Sequence, residues 1–356
     1  MILLSLRSAF PGAPMSQPEV WEALSGSSAI QKLSRRGRRV LKTILRGDSG
    51  IDTRHFAITP PGLFSMDAEA LAQAFEREAP ALASQALSAA LEEARLLPKS
   101  LDALFLCTST GYLCPGVTSY VAGRLGLRPD AVWHDLVGHG CGAALPALQA
   151  ASCFLSAHPQ ATVAVVAVEI CSAAFFLCDD PGALVSACLF GDGASASLWR
   201  SDSDSPAWSA GNFHSLHFPG EREKIRFVND GGSLRNQLHR DVPEVAARAV
   251  RRLFKTAGGG PDRIIAHCGG RDVTNALEAA LPDYRLDETR ATMRRYGNLG
   301  GVSALVAFEE RFRKVSGEPE RVWLTAFGTG FSVHSCDLTW PGASGARATI
   351  DRPLPP

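Results

Sequence analysis

The 356-residue chain reads as an α/β protein. Three observations point there. Apolar runs of strand character alternate with Ala/Leu-rich segments of helical period along its length. Apolar residues make up 46% and charged residues 20%, a composition that packs a core. A Ser/Asp/Pro-rich stretch at 201–209 divides the chain into two parts that both show the alternation.

The elements follow in order. Residues 67–95 have helical spacing and 101–107 read as a buried strand. A helix is expected at 115–126, opening at Pro115 and closing at Gly126. The apolar segment 143–155 reads as another helix, and 161–168 as a continuous strand. Residues 185–199 read as two strands around Gly191-Asp192-Gly193, because Asp-Gly favours a hairpin turn. Trp133-His134-Asp135 lacks the character of a buried strand. Past the boundary come a strand near 212–218, a polar Gly-containing stretch to Arg240, a helix at 242–256, a strand at 263–267 and a helix at 271–281. Two helices bracket Tyr296-Gly297-Asn298, and strands at 322–327 and 331–337 close the core. The expected organisation is an N-terminal half at 1–200, a C-terminal half at 210–340 and a loose Pro/Gly/Arg-rich tail at 341–356.

Composition excludes several roles. Thirty-six Lys plus Arg balance thirty-six Asp plus Glu, so the broad basic footprint of a nucleic-acid binder is missing. No apolar run approaches the ~20 residues of a membrane span. Ile2-Leu3-Leu4 gives way at once to Ser5 and Arg7, too short for a signal-peptide core. Nine Cys without a C-x-x-C pair suit neither a disulfide framework nor a zinc site, and the default for each is a small buried hydrophobe. A cytoplasmic protein with no membrane insertion is expected. One charge run stands out: Lys32, Arg35, Arg36, Arg38, Arg39, Lys42 and Arg46, with no acid between them. Its commoner reading is a solvated helix face, and its functional reading an anion site at a tunnel mouth.

Three segments hold chemistry. In Gly138-His139-Gly140-Cys141-Gly142-Ala143, small neighbours allow a sharp turn and a helix N-terminus favours the thiolate, as at a nucleophile elbow. The same text also reads as a buried Cys in a tight turn. It fits G-x-G-x-x-A as well, with Glu169 as a ribose-binding acid. His267 ends a strand before Gly269-Gly270, where it either caps the strand or reaches a cavity. Asn298, between Gly297 and Leu299, either shapes a turn or donates from one. Phe190 before Gly191-Asp192-Gly193 reads singly as a core aromatic. Together a thiol nucleophile and two hydrogen-bond donors make one set, able to hold a developing oxyanion.

In order and spacing, these segments resemble the thiolase superfamily and, within it, the type III polyketide synthases of the chalcone synthase family. The resemblance runs over residues 2–338. It rests on Cys107-Thr108-Ser109-Thr110-Gly111 with Pro115-Gly116, Gly140-Cys141, Phe190-Gly191-Asp192-Gly193-Ala194, His267 with Gly269-Gly270, Tyr296-Gly297-Asn298, and Phe327-Gly328 with Gly330. It implies a five-layered αβαβα fold from two related halves, and a homodimer whose Cys114 loop reaches the partner. The implied activity is iterative decarboxylative condensation of malonyl-CoA onto an acyl-CoA starter, ended by cyclisation or release, to a pyrone, resorcinol or similar product. Cys141 would hold the acyl chain, with His267 and Asn298 on the malonyl thioester. Phe190 would line the junction of tunnel and cavity, and Thr110 and Gly328 would meet substrate. His267 and the helix terminus would together favour the Cys141 thiolate. No metal or redox cofactor is implied.

The chain departs from the family pattern at several points. His-Pro-Gly-Gly is His267-Cys268-Gly269-Gly270, and Gly-Phe-Gly-Pro-Gly is Ala326-Phe327-Gly328-Thr329-Gly330. The second gating Phe falls near Asn236. The basic positions for the coenzyme A phosphates read Leu41, Ile44 and Asp48, with Lys42 and Arg46 adjacent as substitutes. A ketoacyl synthase III shares Cys, His and Asn but usually follows the His with Gln-Ala-Asn. A non-condensing acyl-CoA-binding protein of the same fold is the other alternative.

Overall fold

The computed structural model describes residues 1–60, 62–203, 205–257, 260–314 and 317–342. The strands are β1 (Ile2–Ala9), β2 (Met15–Ser16), β3 (Thr53–Arg54), β4 (Ala103–Cys107), β5 (Val132–Leu136), β6 (Val163–Glu169), β7 (Gly193–Arg200), β8 (Ser209–His217), β9 (Ile225–Asp230), β10 (Ser233–Leu238), β11 (Arg263–Ala266), β12 (Glu320–Gly328) and β13 (Ser332–Trp340). Helices fill the intervals. They are α1 (Gln17–Ser25), α2 (Ser28–Gln31), α3 (Arg35–Arg46), α4 (Ala68–Glu93), α5 (Val117–Leu125), α6 (Ala144–Ala157), α7 (Pro181–Leu189), α8 (Val242–Thr256), α9 (Arg271–Ala280), α10 (Asp287–Tyr296) and α11 (Ser303–Phe312).

Nine strands form one hydrogen-bonded path in the order β11-β12-β13-β8-β1-β7-β6-β4-β5. Side chains alternate across a strand, so each end of this path has two faces to bury. On β4, Leu104 and Leu106 pack with α4 and α5, while Ala103, Phe105 and Cys107 pack with α6 and α11. At the other end, Ile264, Ala266 and Trp323 pack with α8 and α9, while Ile265, Val322 and Leu324 join α6 and α11. Both ends therefore share the α6/α11 layer. The stack is helix, sheet, helix, sheet, helix, which is the expected five layers.

This architecture explains the composition of α6. The window Gly140–Ala157 is long and apolar enough for a membrane span by composition alone, and half of it is buried. Ala144, Leu145, Ala147, Leu148, Ala151 and Leu155 are the face that enters the central layer.

Most helices and strands lie where the periodicity predicts. Asp67 caps α4 by accepting from the Ala70 N–H at 2.9 Å, and Gly126 ends α5 in the left-handed region at φ +67°. Three regions differ. The expected hairpin at 185–199 is instead α7 followed by β7, because Asp180-Pro181 starts a helix and the Asp180 carboxylate accepts from the Ala183 N–H at 3.0 Å. Asp192 lies buried between them as a hydrogen-bond hub rather than in a turn. Trp133-His134-Asp135 is part of β5, whose polarity reflects its place at the sheet edge. The polar stretch before Arg240 contains the β9–β10 hairpin, in which Phe227 pairs with Asn236. The 201–209 boundary falls between β7 and β8, and the tail from 343 onward lies outside the described residues.

Candidate active site

The nucleophile loop leaves β5 and enters α6 through a tight 3₁₀ turn at Gly140–Gly142. Gly140 sits at φ +57°, a conformation that side chains resist. The end of β12 lies directly on this loop. A methyl at Gly328 would stand 2.2 Å from the His139 carbonyl oxygen and 2.6 Å from the Gly142 nitrogen. Gly328 thus allows backbone contact beneath Cys141, between Phe327 and Thr329, which both line the cavity beside that residue.

His267 follows β11, and its N–H donates to the Thr325 carbonyl at 2.9 Å. Its ring is buried edge-on against Phe327, and Nδ1 has no partner among the described residues. Asn298 is held from both sides. Its N–H donates to Leu189 O at 2.8 Å, and its carbonyl accepts from the Gly191 N–H at 3.0 Å. The Gly300 N–H donates to Oδ1 at 2.9 Å, which leaves the NH₂ end for the cavity.

Cys141, His267, Asn298 and Phe190 line one cavity of about 30 Å³, with Phe227 and Asn236 opposite. On the other side of Cys141, a cavity of about 20 Å³ includes Thr110, Cys171, Phe175 and Phe176. Phe190, Phe227 and Asn236 belong to both. Asn236 therefore stands at the cavity, where its Nδ2 reaches Ser186 Oγ at 3.3 Å. Its ladder partner Phe227 is the aromatic that the sequence reading missed, hidden in a stretch taken as irregular.

A groove of about 560 Å³ leads outward, walled by the C-terminal end of α3, α7, the start of α8 and the Gly269–Val273 turn. Leu189, Leu238, Val242 and Gly269 are common to groove and inner cavity. Thr43, Ile44, Gly47 and Asp48 face the groove, but Lys42 and Arg46 do not. Both are exposed elsewhere on α3, and Arg46 approaches Glu22 at 4.0 Å. At 3.6 residues per turn, side chains next to Thr43 and Gly47 point about 100° away from them. The guanidinium groups that do line the groove are Arg240 and Arg271.

Burial sets the protonation states. It pushes the Cys141 thiol up to about 12, with the nearby Glu169 carboxylate adding to the effect. It pushes His267 down to about 3, opposed by a backbone contact at Gly300. Burial therefore favours a thiol and a neutral imidazole, against the helix terminus, which favours the thiolate.

Glu169 is no ribose ligand. It is buried, and its carboxylate accepts from Ser109 N–H at 3.0 Å, Ser109 Oγ at 2.7 Å, Thr110 Oγ1 at 2.8 Å and Gly301 N–H at 3.3 Å. Thr110 is thereby fixed at the cavity wall. Arg54, unremarked in the sequence, is equally buried. Its Nη1 donates to Ala187 O at 2.9 Å and Phe190 O at 2.8 Å, and Nε donates to Gln17 Oε1 at 3.0 Å. It holds the segment that in turn holds Asn298. Cys268 is buried with its thiol on the Thr289 carbonyl at 3.2 Å, so the departure after His267 supplies packing.

Gly328→Ala must displace backbone rather than a side-chain tip. We expect a loss of about 1–3 kcal/mol in denaturant unfolding, together with slower acylation of Cys141. Gly123→Ala, inside α5 with nothing within 4 Å of the added methyl, should raise stability by about 0.5–1 kcal/mol. Equal effects of the two changes would contradict the close approach.

The comparisons with known proteins agree with this geometry. A family model described as FAE1/type III polyketide synthase-like protein matches residues 17–212. A 1,3,6,8-tetrahydroxynaphthalene synthase of Streptomyces peucetius subsp. caesius is 30% identical over 321 residues, covering 85% of this chain and 84% of that one. A phloroglucinol synthase of Pseudomonas fluorescens is 26% identical, covering 75% and 79%. The crystal structure of PKS-I from the brown alga Ectocarpus siliculosus superposes with a TM-score of 0.85 at 19% identity, over 95% of this chain and 98% of that one. With its five layers, its enclosed thiol, imidazole and amide, and these relatives, the chain belongs to the FAE1/type III polyketide synthase-like family.

Proposed function

We propose that the chain condenses malonyl-CoA units iteratively onto an acyl starter held on Cys141, and releases the product by cyclisation or hydrolysis. The observation that carries this reading is the convergence of Cys141, His267 and Asn298 on one enclosed cavity at the end of a groove. Neutral His267 accepts the thiol proton as Cys141 attacks the starter carbonyl, and coenzyme A leaves as the thiol. The malonyl thioester carbonyl then sits between the His267 ring and the Asn298 NH₂. As carbon dioxide leaves, both donors hold the enolate oxygen. The enolate carbon attacks the acyl–Cys141 thioester carbonyl and expels the Cys141 thiolate, which takes a proton from water to return to the thiol. Since protein donors hold the charge, the scheme needs no metal or redox cofactor. We assign the coenzyme A phosphates to Arg240 and Arg271 in place of Lys42 and Arg46. The free thiols suit a reducing, cytoplasmic compartment.

Condensation and decarboxylation separate by mutation in this scheme. Cys141→Ala should abolish condensation yet still release carbon dioxide from malonyl-CoA. His267→Ala should lower both decarboxylation and loading, by about 10²–10³ in rate. Asn298→Ala should damage decarboxylation more than loading, because an amide is no base for the thiol. Undiminished product from Cys141→Ala would sink the assignment. The mass of the wild-type product separates iterative extension from the single condensation of a ketoacyl-synthase-III-like enzyme, and absence of any condensation would leave an acyl-CoA binder.

The loading rate has a stated pH dependence. An imidazole near 3 stays unprotonated, and so free to accept a proton though a weaker base, far below the ordinary histidine value. Single-turnover loading should therefore keep its rate as pH falls through 6.5, and decline only as protonation of His267 is approached. An acid limb at the ordinary histidine value in single-turnover assays, with circular dichroism unchanged, would show the site to be wetter than its burial implies.

We also propose a homodimer joined through β5. This edge strand exposes Val132 and Trp133, each 37% accessible, and Val137 just beyond its end is exposed as well. An open apolar edge is a liability unless another chain covers it. Light scattering should give a dimer for the wild type and a shift toward monomer for Trp133→Glu. A monomeric wild type would end this proposal.

A further inference from the structure

The charge run of the sequence becomes the outer surface of α3. Gly37, Leu41 and Leu45 face the core. Arg35, Arg39, Lys42 and Arg46 follow at i, i+4, i+7 and i+11, one stripe along the helix. Lys32, Arg35, Arg36, Arg38, Arg39 and Lys42 are all exposed, and their side chains have no ion pair among the described residues. Of the nearby acids, one is engaged at the helix start and the other faces only the last member of the stripe. Asp179 accepts from the Ser34 N–H and hydroxyl at the helix start, and Glu22 faces Arg46.

This stripe adjoins the groove without lining it. The α3 positions on the groove wall are neutral or acidic, at Thr43, Ile44, Gly47 and Asp48. The helix has 12 residues and is about 18 Å long. A row of cations of that length, turned outward, exceeds what one nucleotide needs, since coenzyme A has its phosphates clustered at one end. It matches an extended acidic surface.

We propose that α3 docks a small acidic carrier protein whose acyl chain, linked through phosphopantetheine, enters the adjoining groove to reach Cys141. The inference rests on the reading of Cys141 as the acyl acceptor. In the transfer, the Cys141 sulfur forms a bond to the acyl carbon and the bond from that carbon to the pantetheine sulfur breaks. The thiol proton passes by way of His267 to the departing sulfur, so the carrier leaves as its free thiol.

The test compares two donors, a stand-alone acidic acyl carrier protein charged with a hexanoyl group, and hexanoyl-CoA. Acyl transfer to Cys141 is followed by intact-protein mass spectrometry. The variant Arg35→Glu/Arg38→Glu/Arg39→Glu changes only exposed side chains. Expected is a fall of at least about tenfold in kcat/KM for the carrier donor and less than about twofold for the coenzyme A donor. Added salt should slow the wild-type carrier reaction alone. That salt response needs no variant, and normal loading of the variant from hexanoyl-CoA shows that it is folded. The proposal is overturned if the carrier never acylates the wild type while hexanoyl-CoA does. It is also overturned if both donors weaken together, which would assign the cations to the nucleotide. Sedimentation with phosphatidylglycerol vesicles that the variant loses, with carrier transfer unchanged, would overturn it in favour of a lipid surface. Loading from neither donor would remove the reading of Cys141 together with this inference.

Discussion

Everything in this molecule depends on two helices sharing one buried layer. Residues of α6 and α11 sit in the core cluster that both ends of the sheet enter. Each is preceded by a 3₁₀ turn, Gly140–Gly142 before α6 and Gly300–Val302 before α11. Packing the helices side by side brings the turns together. A methyl at Gly301 would lie 3.6 Å from the Gly140 carbonyl oxygen. The thiol of one turn and the amide just ahead of the other thus meet as a consequence of core packing. Gly140 and Gly300 stand at φ +57° and +55°, a conformation that side chains resist, so the turns themselves require them.

The electrostatics follow from the same enclosure. A site between two sheets has little water, so charged forms are costly unless they are paired. Burial favours the neutral forms of Cys141 and His267 for that reason. Glu169 remains as a buried carboxylate surrounded by donors on Ser109, Thr110 and Gly301, and burial still raises its pKa. Arg54 stays charged with burial lowering it to about 10, because carbonyls at the end of α7 replace its hydration. The chemistry that such a pocket supports is one whose charge appears only transiently and is met by fixed donors.

Outside the pocket the constraint relaxes, and the chain shows its individual features there. The hairpin that brings Phe227 and Asn236 to the cavity is a separate two-stranded sheet with partly polar strands. The groove mixes Arg240 and Arg271 with Asp48 and Asp272. α3 keeps its apolar residues inward and turns its cations to solvent.

The amino-acid order by itself determined the class and most of the elements. Alternation between periods of two and 3.6 marks α4, β4, α6, β6, α8 and β12 because each buries one continuous face. It also marked Cys141, His267 and Asn298, since each stands in a Gly-rich turn at the end of a regular element. It did not reveal β1, nor β5 and the β9–β10 hairpin, whose strands are exposed or only half-buried and so lack a clear apolar signal. It mistook α7 for a strand, because Phe190-Gly191-Asp192-Gly193 resembles a turn until Asp192 is seen buried among the Ala57 and Ser172 donors. Nor did it single out Arg54 or Phe227, and it offered Glu169 only as a ribose-binding acid. Only the tertiary structure decided that Gly328 presses on the nucleophile loop, that Lys42 and Arg46 miss the groove, and that burial favours the uncharged thiol. Each of those outcomes turns on which distant segment lies within a few ångströms, and a distance across the core leaves no period in the sequence.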